Sequence, residues 1–433
     1  MTTKIKYAGI IMVVFSIMLV ISCKKKDNSA ITVTIYAPLQ GMVYNVGDTI
    51  KIKAHVSSVN ALKTGDIALL DANYINNDAT LAVSVAGNEA DVNANYILTN
   101  EKLNTGSYYI QVQATDGNTV GKAFQNVFIH AVPLAKKGVF VVTGSNNANT
   151  KVYTFDQNNT ILPVVSLNGD FGNASVSNND QCMYTCGIYS GPFSNINLLS
   201  YAIDWNILAG SGILPSFENV YSHDRLTFLA DYNQNIIGYA KNKSIGFHAL
   251  TNVGTYAHTL YADAQYLYAE QRSYAGNDIR MVLYRLTTSA AYQEVAINQD
   301  IKAIFTINKD SLMLFTNANG VGYAKIYNIV SNSIVNSYPM ANGALLSVAQ
   351  IGPSQYIVGH QNGIYIYSTN MMGSETLFDA TNAATCIRYE PIGSQLFVAT
   401  ANNLKTINFP NATVANMLTF PDTLKDIGVL YNH

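Results

Sequence analysis

Residues 138–143, Gly-Val-Phe-Val-Val-Thr, begin a pattern that decides the fold of most of this chain. Six further strand-like segments follow it: QCMYTC from Gln181, RLTFLA from Arg225, QYLYAE from Gln265, SLMLFT from Ser311, QYIVGH from Gln355 and QLFVAT from Gln395. Their starts are separated by 43, 44, 40, 46, 44 and 40 residues. Intervals of this length are typical of the four-stranded blades of a β-propeller.

The residues around each segment predict the rest of a blade. An apolar strand and a polar turn precede the segment, and a third and a weaker fourth strand follow it. The first segment lacks a preceding strand because Gly138 directly follows a short linker at 133–137. Residues 426–432, Asp-Ile-Gly-Val-Leu-Tyr-Asn, resemble the inner strands and would close the ring by pairing with that first segment. We therefore predict a seven-bladed propeller over 138–433, with six or eight blades as the alternatives.

Residues 31–132 predict a smaller β-domain. Residues 31–36 alternate apolar and polar side chains, as do residues 49–52, and turns separate these strands. Residues 106–117 read G-x-Y-x-I-x-V-x-A-x-D-G. That pattern resembles bacterial immunoglobulin-like and fibronectin-like modules found next to surface anchors. The resemblance implies an immunoglobulin-like β-sandwich that acts as a spacer and carries no site of its own.

The first residues predict export and membrane attachment. Lys4 and Lys6 precede an apolar run at 8–21, and Val20-Ile21-Ser22-Cys23 ends it. This segment resembles the lipobox of bacterial lipoproteins, which implies a signal peptide at 1–22 and a lipidated Cys23. Residues 23–30 form a charged leader, which resembles the surface-export tag of Bacteroidetes-type lipoproteins, although here lysines lead and one acid follows. We expect an outer-membrane lipid anchor at the cell surface, with the periplasmic leaflet as the alternative.

Composition excludes several functions. Charged residues are 12% of the chain and the formal net charge is -2, so no basic field is present to gather nucleic acid. Cys182, Cys186 and Cys386 remain after Cys23, and the first two lie on one predicted strand, roughly 13 Å apart. That distance is too long for a disulfide, so we predict buried thiols. No catalytic signature, metal-ligand motif or cofactor motif is recognisable, and none is assigned.

Two long loops between second and third strands carry the predicted binding residues. They span 187–195 and 271–278, and they would share a propeller face with the connections that enter each blade. An aromatic and cationic rim is predicted there, with two polar residues of the connections beside it: Tyr189, Phe193, Arg272, Tyr274, Glu218 and His258.

The leading functional hypothesis is a membrane-anchored binding or scaffold protein that presents its propeller to a protein or glycan ligand. The alternative is a hydrolase or lyase of an extracellular polymer, with Glu218, Glu270 and Asp300 converging in the central funnel. A third is a structural subunit of an outer-membrane assembly. Three or more acids and histidines within hydrogen-bonding reach in the funnel would indicate the enzyme, and an exposed apolar patch on a flat face would favour the assembly role.

Overall fold

The computed structural model describes residues 31–72, 74–145, 149–210, 213–276, 278–371 and 374–433. Within these ranges the regular elements are β-strands, apart from one 3-10 turn at Thr369–Met371. None of the described segments is a helix long and apolar enough to cross a bilayer. The chain divides into two compact units, the first ending at Pro133 and the second spanning Leu134–His433.

The first unit is a sandwich of two sheets. One sheet has the order β1 Thr32–Ala37, β3 Thr49–Leu62 and β6 Gly87–Ile97. The other has the order β2 Met42–Asn45, β8 Val120–His130, β7 Gly106–Thr115, β4 Thr64–Leu70 and β5 Leu81–Val83. Alternate residues of β3 point inward, so that Ile50, Ile52, Ala54 and Val56 are buried with the inward residues of the opposite sheet. The first unit is thus a β-sandwich, as predicted, and its likeness to immunoglobulin-like modules stays a prediction.

The second unit is a propeller of seven four-stranded antiparallel sheets, as predicted. From the centre outward, blade 1 contains β36 Thr423–Tyr431, β9 Lys136–Ser145, β10 Asn149–Phe155 and β11 Ile161–Asn168. Blade 2 contains β12 Asn173–Ser177, β13 Cys182–Cys186, β14 Phe193–Asn197 and β15 Ile203–Ile207; blade 3 contains β16 Phe217–His223, β17 Leu226–Asp231, β18 Asn235–Tyr239 and β19 Ile245–Leu250. Blade 4 contains β20 Thr255–Ala262, β21 Tyr266–Ser273, β22 Ile279–Arg285 and β23 Ala291–Ala296; blade 5 contains β24 Asp300–Asn308, β25 Ser311–Ala318, β26 Val321–Asn328 and β27 Ser333–Pro339. Blade 6 contains β28 Leu345–Gly352, β29 Gln355–His360, β30 Gly363–Ser368 and β31 Glu375–Asp379; blade 7 contains β32 Cys386–Glu390, β33 Gln395–Thr400, β34 Asn403–Asn408 and β35 Thr413–Thr419.

Strand β36 closes the ring. It pairs antiparallel with β9, matching Ile427 with Val141 and Val429 with Val139. Each of the seven repeated segments in the sequence is the second strand of its blade. The closure by residues near the C-terminus is therefore confirmed.

The cores of the propeller lie between neighbouring blades. Seven clusters of buried apolar residues each combine side chains from two adjacent blades, for example Phe228 and Phe247 of blade 3 with Leu267 of blade 4. The second strands contact both neighbours, which is why their residues are buried on both faces and their sequences read as continuous apolar runs.

Blade 6 also contains a buried polar pair. His360 Nε2 lies 2.6 Å from Glu375 Oε1, and both side chains are almost fully inaccessible. His360 Nδ1 lies 3.1 Å from the carbonyl oxygen of Ala344, and Asn342 donates to the other oxygen of Glu375. Each ring nitrogen of His360 therefore lies within hydrogen-bonding distance of an oxygen atom, and the contact with Glu375 links the second and fourth strands of this blade.

Candidate functional site

The seven inner strands surround a central channel with a cavity volume of about 520 Å³. We call the face at which the inner strands begin the upper face. The loops between second and third strands reach the same face, because successive strands of a blade are antiparallel. The predicted binding loops therefore lie around the upper mouth of the channel.

Repeated β-bulges shape this mouth. Near their first residues, the inner strands of blades 3, 4, 5, 6 and 1 each contain one residue without a partner in the register. A bulge bends its strand and re-aims a side chain, and bulges are common next to functional sites. The bulge residues, in that order of blades, are Glu218, His258, Lys302, Leu346 and Lys425.

The two predicted connection residues contact each other across adjacent blades. His258 Nδ1 lies 2.9 Å from Glu218 Oε2. The Glu218 side chain is 9% exposed and that of His258 is 36% exposed, so the pair borders solvent at the mouth. The structure thus brings together two residues that are 40 positions apart.

Arg272 links two further carboxylates at the mouth. Its Nε donates to Glu270 Oε1 over 2.7 Å, and its terminal nitrogen donates to Asp300. Lys302 Nζ also lies 2.6 Å from the second oxygen of Asp300. The result is a chain of alternating charges across blades 4 and 5, and most of the Arg272 guanidinium is engaged within the protein.

Burial and charge affect these groups differently. Burial raises the pKa of Glu270, and the positive charges of Arg272 and His258 only partly oppose it. For Asp300, burial is outweighed by Lys302 and Arg272, which lower its pKa. The Oε2 atom of Glu270 is buried and accepts no hydrogen bond from the described residues. The pKa values of Glu270 and Asp300 are therefore shifted in opposite directions, although both carboxylates contact Arg272.

Three tyrosines lie beside the charged cluster. The rings of Tyr232, Tyr256 and Tyr274 lie 4.8 to 5.6 Å apart, and Tyr274 Oη donates to the carbonyl oxygen of Tyr232 over 2.5 Å. Tyr256 is the strand partner of Arg272, which places rings and charges next to each other. Tyr274 remains 42% exposed and has the rim position predicted for it.

Tyr189 lies on a loop that a single carboxylate fixes in place. Both oxygens of Asp170 accept backbone N–H groups, from Ile188 (3.0 Å), Tyr189 (2.9 Å), Ser190 (2.7 Å) and Gly191 (2.8 Å). Burial alone would raise the pKa of Asp170, but these hydrogen bonds outweigh it and lower the pKa. The Tyr189 side chain is 46% exposed on this loop.

Phe193 does not belong to the rim. It begins strand β14 and is fully buried among the rings of Tyr184, Trp205, Phe217 and Tyr239. The prediction placed it on a loop because the preceding residues Ser190, Gly191 and Pro192 indicate a turn. The loop ends earlier than predicted, and the burial of a large aromatic side chain accounts for the position.

Exposed aliphatic side chains on the connections into blades 3 and 4 were not singled out from the sequence. Leu208, Ile213 and Leu214 are 77%, 84% and 65% exposed, and Val253 is 97% exposed. In the sequence, the signal that could have identified these residues is the presence of apolar residues within turn-forming segments. We define the upper-face patch as Tyr189, Leu208, Ile213, Leu214, Val253 and Tyr274.

Backbone hydrogen bonds join the loops that carry this patch. Ser216 donates to Ile188 over 2.6 Å, and Tyr232 donates to Ser216 over 3.1 Å. Tyr274 donates to Gly254 over 3.1 Å, while its hydroxyl reaches Tyr232. The described parts of the loops of blades 2, 3 and 4 that carry the patch are therefore connected to one another through their backbones.

The three carboxylates considered for catalysis are brought near the mouth, but each has a cationic or imidazole partner. Glu218 contacts His258, whereas Glu270 and Asp300 are joined through Arg272. Among the described residues, no group of three or more His, Cys, Asp or Glu side chains is arranged to hold a metal ion. The arrangement provides paired charges and one carboxyl, that of Glu270, whose pKa is raised by burial.

The three cysteines other than Cys23 lie in the core, as predicted. Cys182, Cys186 and Cys386 are all buried, which confirms their interpretation as core residues. Burial raises the pKa of the thiols of Cys186 and Cys386 to about 12. Cys23, the predicted lipidation site, lies outside the described residues, as do the signal peptide and the charged leader.

Comparisons with known proteins were made by sequence and by structure. No protein-family model matches the chain, and no curated protein matches it. The computationally designed Ika8 protein is similar over 68% of this chain and 91% of its own, with 8% identity and a TM-score of 0.48. BamB from Moraxella catarrhalis is similar over 68% of this chain and 93% of its own, with 11% identity and a TM-score of 0.41. At these identities and scores, neither structure carries information on the function of this chain.

Proposed function

We propose that this chain is a membrane-anchored binding protein whose propeller presents its upper face to a protein ligand. The observation that carries the proposal is the upper-face patch, in which four large aliphatic side chains and two tyrosines are exposed over connected loops. Exposed apolar groups concentrated on one surface are typical of interaction sites.

The composition of the patch favours a protein over a glycan. Leu208, Ile213, Leu214 and Val253 offer apolar contact without hydrogen bonds, which suits the desolvated centre of a protein interface. The charged groups at the channel mouth adjoin the tyrosine end of the patch, where they provide the polar rim that such interfaces have. Fixed loops reduce the entropy lost on binding, and the Asp170 carboxylate and the backbone hydrogen bonds supply that rigidity.

Site-specific photo-crosslinking in the producing cells tests this proposal. A photoreactive phenylalanine analogue at Val253 is expected to give a discrete adduct that mass spectrometry identifies as protein. The matched control is Val330, which is 75% exposed on the loop between the third and fourth strands of blade 5 and therefore lies on the opposite face. We expect the Val253 adduct to disappear when Leu214→Asp is added. Equal adducts at Val253 and Val330, or none at Val253, would contradict the proposal.

The anchor is a separate part of the proposal and has its own test. The basic start, the apolar run and Cys23 support lipidation, and acyl chains would hold the protein on the outer membrane. We expect Cys23→Ala to move the protein from the membrane fraction to the soluble fraction. Protease treatment of intact cells then distinguishes the cell surface from the periplasmic leaflet, since only the surface form is digested.

A hydrolase or lyase acting at the channel mouth is the second candidate. The observation in its favour is Glu270, a buried carboxyl with a raised pKa beside the Glu218–His258 pair. Such a group suits general acid catalysis on an extracellular polymer. Release of reducing or unsaturated ends from a polysaccharide panel, abolished by Glu270→Gln, would establish this activity in place of the binding role.

A further inference from the structure

The central channel has features of a small-molecule site that is separate from the upper-face patch. All seven inner strands contribute to its wall, and its volume of about 520 Å³ falls within the range of ligand pockets, about 300 to 1,000 Å³. The residues that line it differ from blade to blade, so the two sides of the channel differ in chemistry.

The channel wall presents three carboxamides without partners among the described residues. Asn173 of blade 2 and Asn219 of blade 3 line the cavity, and neither side chain hydrogen-bonds to another described residue. Gln350 of blade 6 also lines the cavity, and its side chain likewise makes no hydrogen bond to another described residue. Each carboxamide supplies both a donor and an acceptor, which suits ligands that carry hydroxyl groups.

Arg388 of blade 7 adds a fixed donor to the channel wall. Its Nε donates to the carbonyl oxygen of Ile427 over 2.9 Å, and a terminal nitrogen donates to Asp426 over 3.0 Å. The side chain lines the channel and still has 46% of its surface exposed, and a guanidinium has five N–H donors, of which these two contacts use two. Two protein partners hold the guanidinium in one orientation, which lowers the entropic cost of binding a ligand to it.

The charges that line the channel are compensated within the protein. Arg388 is paired with Asp426, and Lys302 is paired with Asp300 at 2.6 Å. A ligand with its own charge would have to compete with these ion pairs. The lining therefore favours a ligand that is polar but uncharged.

Apolar and aromatic groups complete the wall. Ile304, Phe305 and Val348 of blades 5 and 6 lie across the channel from the carboxamides of blades 2 and 3, and the rings of Tyr221 and Tyr261 lie 5.5 Å apart on blades 3 and 4. A sugar ring has the matching chemistry, since its hydroxyl groups hydrogen-bond at the edge while its C–H face packs on aromatic and aliphatic side chains. We propose that the propeller channel binds a neutral sugar of one or two rings.

Saturation-transfer NMR on the full chain in detergent tests this proposal with named probes. The neutral probes are glucose, galactose, mannose, N-acetylglucosamine, maltose and cellobiose, and glucuronic acid is the charged probe. We expect saturation transfer to at least one neutral sugar at millimolar concentration, with weaker transfer to glucuronic acid. Titration of the strongest probe then gives a dissociation constant for comparing variants.

Two variants remove polar groups that the protein itself does not use. We expect Asn219→Leu and Gln350→Leu each to weaken binding of that sugar by about tenfold, the loss of one well-formed hydrogen bond. The matched control is Asn336→Leu, an exposed asparagine on the outer strand of blade 5, which should bind within about twofold of the wild type. Comparable thermal unfolding of the three variants establishes that the ring is intact.

Three results would overturn the proposal: no transfer to any neutral sugar, binding unchanged in both channel variants, or preferential binding of glucuronic acid. Loss of the Val253 crosslink with sugar binding retained would contradict only the proposed protein-binding role. Loss of sugar binding with the crosslink retained would contradict only the channel site.

Discussion

The hydrogen bonds around Asp170 lead to a quantitative prediction for Asp170→Ala. The carboxylate accepts four backbone N–H groups and the Ser190 hydroxyl, and the residue is 7% exposed. Hydrogen bonds to a charged group contribute about 1.5 to 3 kcal/mol each, but five bonds to one carboxylate are not additive. Because the loop lies on the upper face, water can reach part of the freed N–H groups. We expect Asp170→Ala to lower the free energy of unfolding of the propeller by about 3 to 5 kcal/mol, near the upper limit for single substitutions.

The fluorescence of Trp205 allows the unfolding of the propeller to be measured specifically. This residue is the single tryptophan of the chain, and it packs against Phe193 in the blade that carries the loop. Tryptophan fluorescence during denaturant unfolding therefore reports on the propeller and not on the sandwich. Asp204→Ala, at an exposed position on the same blade, is the control and should change stability by less than about 0.5 kcal/mol.

The pH dependence gives a second measurement of the same interaction. Since the folded protein lowers the pKa of Asp170, the carboxylate contributes stability above its ordinary pKa of 3.8 and loses it as pH falls through the lower folded value. The stability difference between wild type and Asp170→Ala should therefore narrow below pH 3.8. Two results would refute the stabilising role of Asp170. One is that Asp170→Ala lowers the free energy of unfolding by less than about 1 kcal/mol at neutral pH. The other is that the difference in stability between wild type and variant becomes larger in acid.

Three further predictions concern the core of the propeller. Removing residues 423–433 leaves the first blade with an open edge. We therefore expect the shortened protein to aggregate, which size-exclusion chromatography would detect. Removal of His433 alone is the control and should leave the elution volume unchanged. Glu375→Gln perturbs the buried contact with His360 and should cost about 3 kcal/mol in denaturant unfolding, and a cost below about 1 kcal/mol would contradict a stabilising role of this contact. Cys186 and Cys386 are buried, and the pKa values of their thiols are raised. We therefore expect maleimide to label them only in denaturant, as detected by mass spectrometry. Rapid labelling of the native protein would contradict this prediction.

The propeller could be predicted because its second strands are buried on both faces. Segments such as Leu312–Phe315 must then be continuously apolar, and this constraint recurs once per blade. The residues at 426–432 have the apolar pattern of an inner strand, and pairing with β9 is the arrangement that leaves no open edge. Both features are local in sequence, which is why they could be recognised without a structure.

The site could be predicted only in part, because its contacts join different blades. The Arg272–Asp300 contact depends on how blades 4 and 5 pack side by side. Nothing in the sequence near either residue indicates that the other will be its partner. The bulges that place Glu218 and His258 follow from the strand register, which a sequence pattern does not specify. Phe193 was misplaced for the opposite reason: its loop signal was clear, but the position at which the strand begins depends on aromatic packing within the blade.

The pairing of β36 with β9 also constrains when the propeller can form. Residues Ala135 and Asn432, joined by a hydrogen bond at this closure, are 297 positions apart, so the first blade is completed only after the strands of all other blades have been synthesised. Until that strand emerges, the chain can form individual antiparallel sheets but cannot complete the ring, since such non-local pairing is slow and closes last. This order leaves the first blade with an unpaired edge while blades 2 to 7 are being made. Completion of the propeller therefore requires synthesis of every one of its repeats.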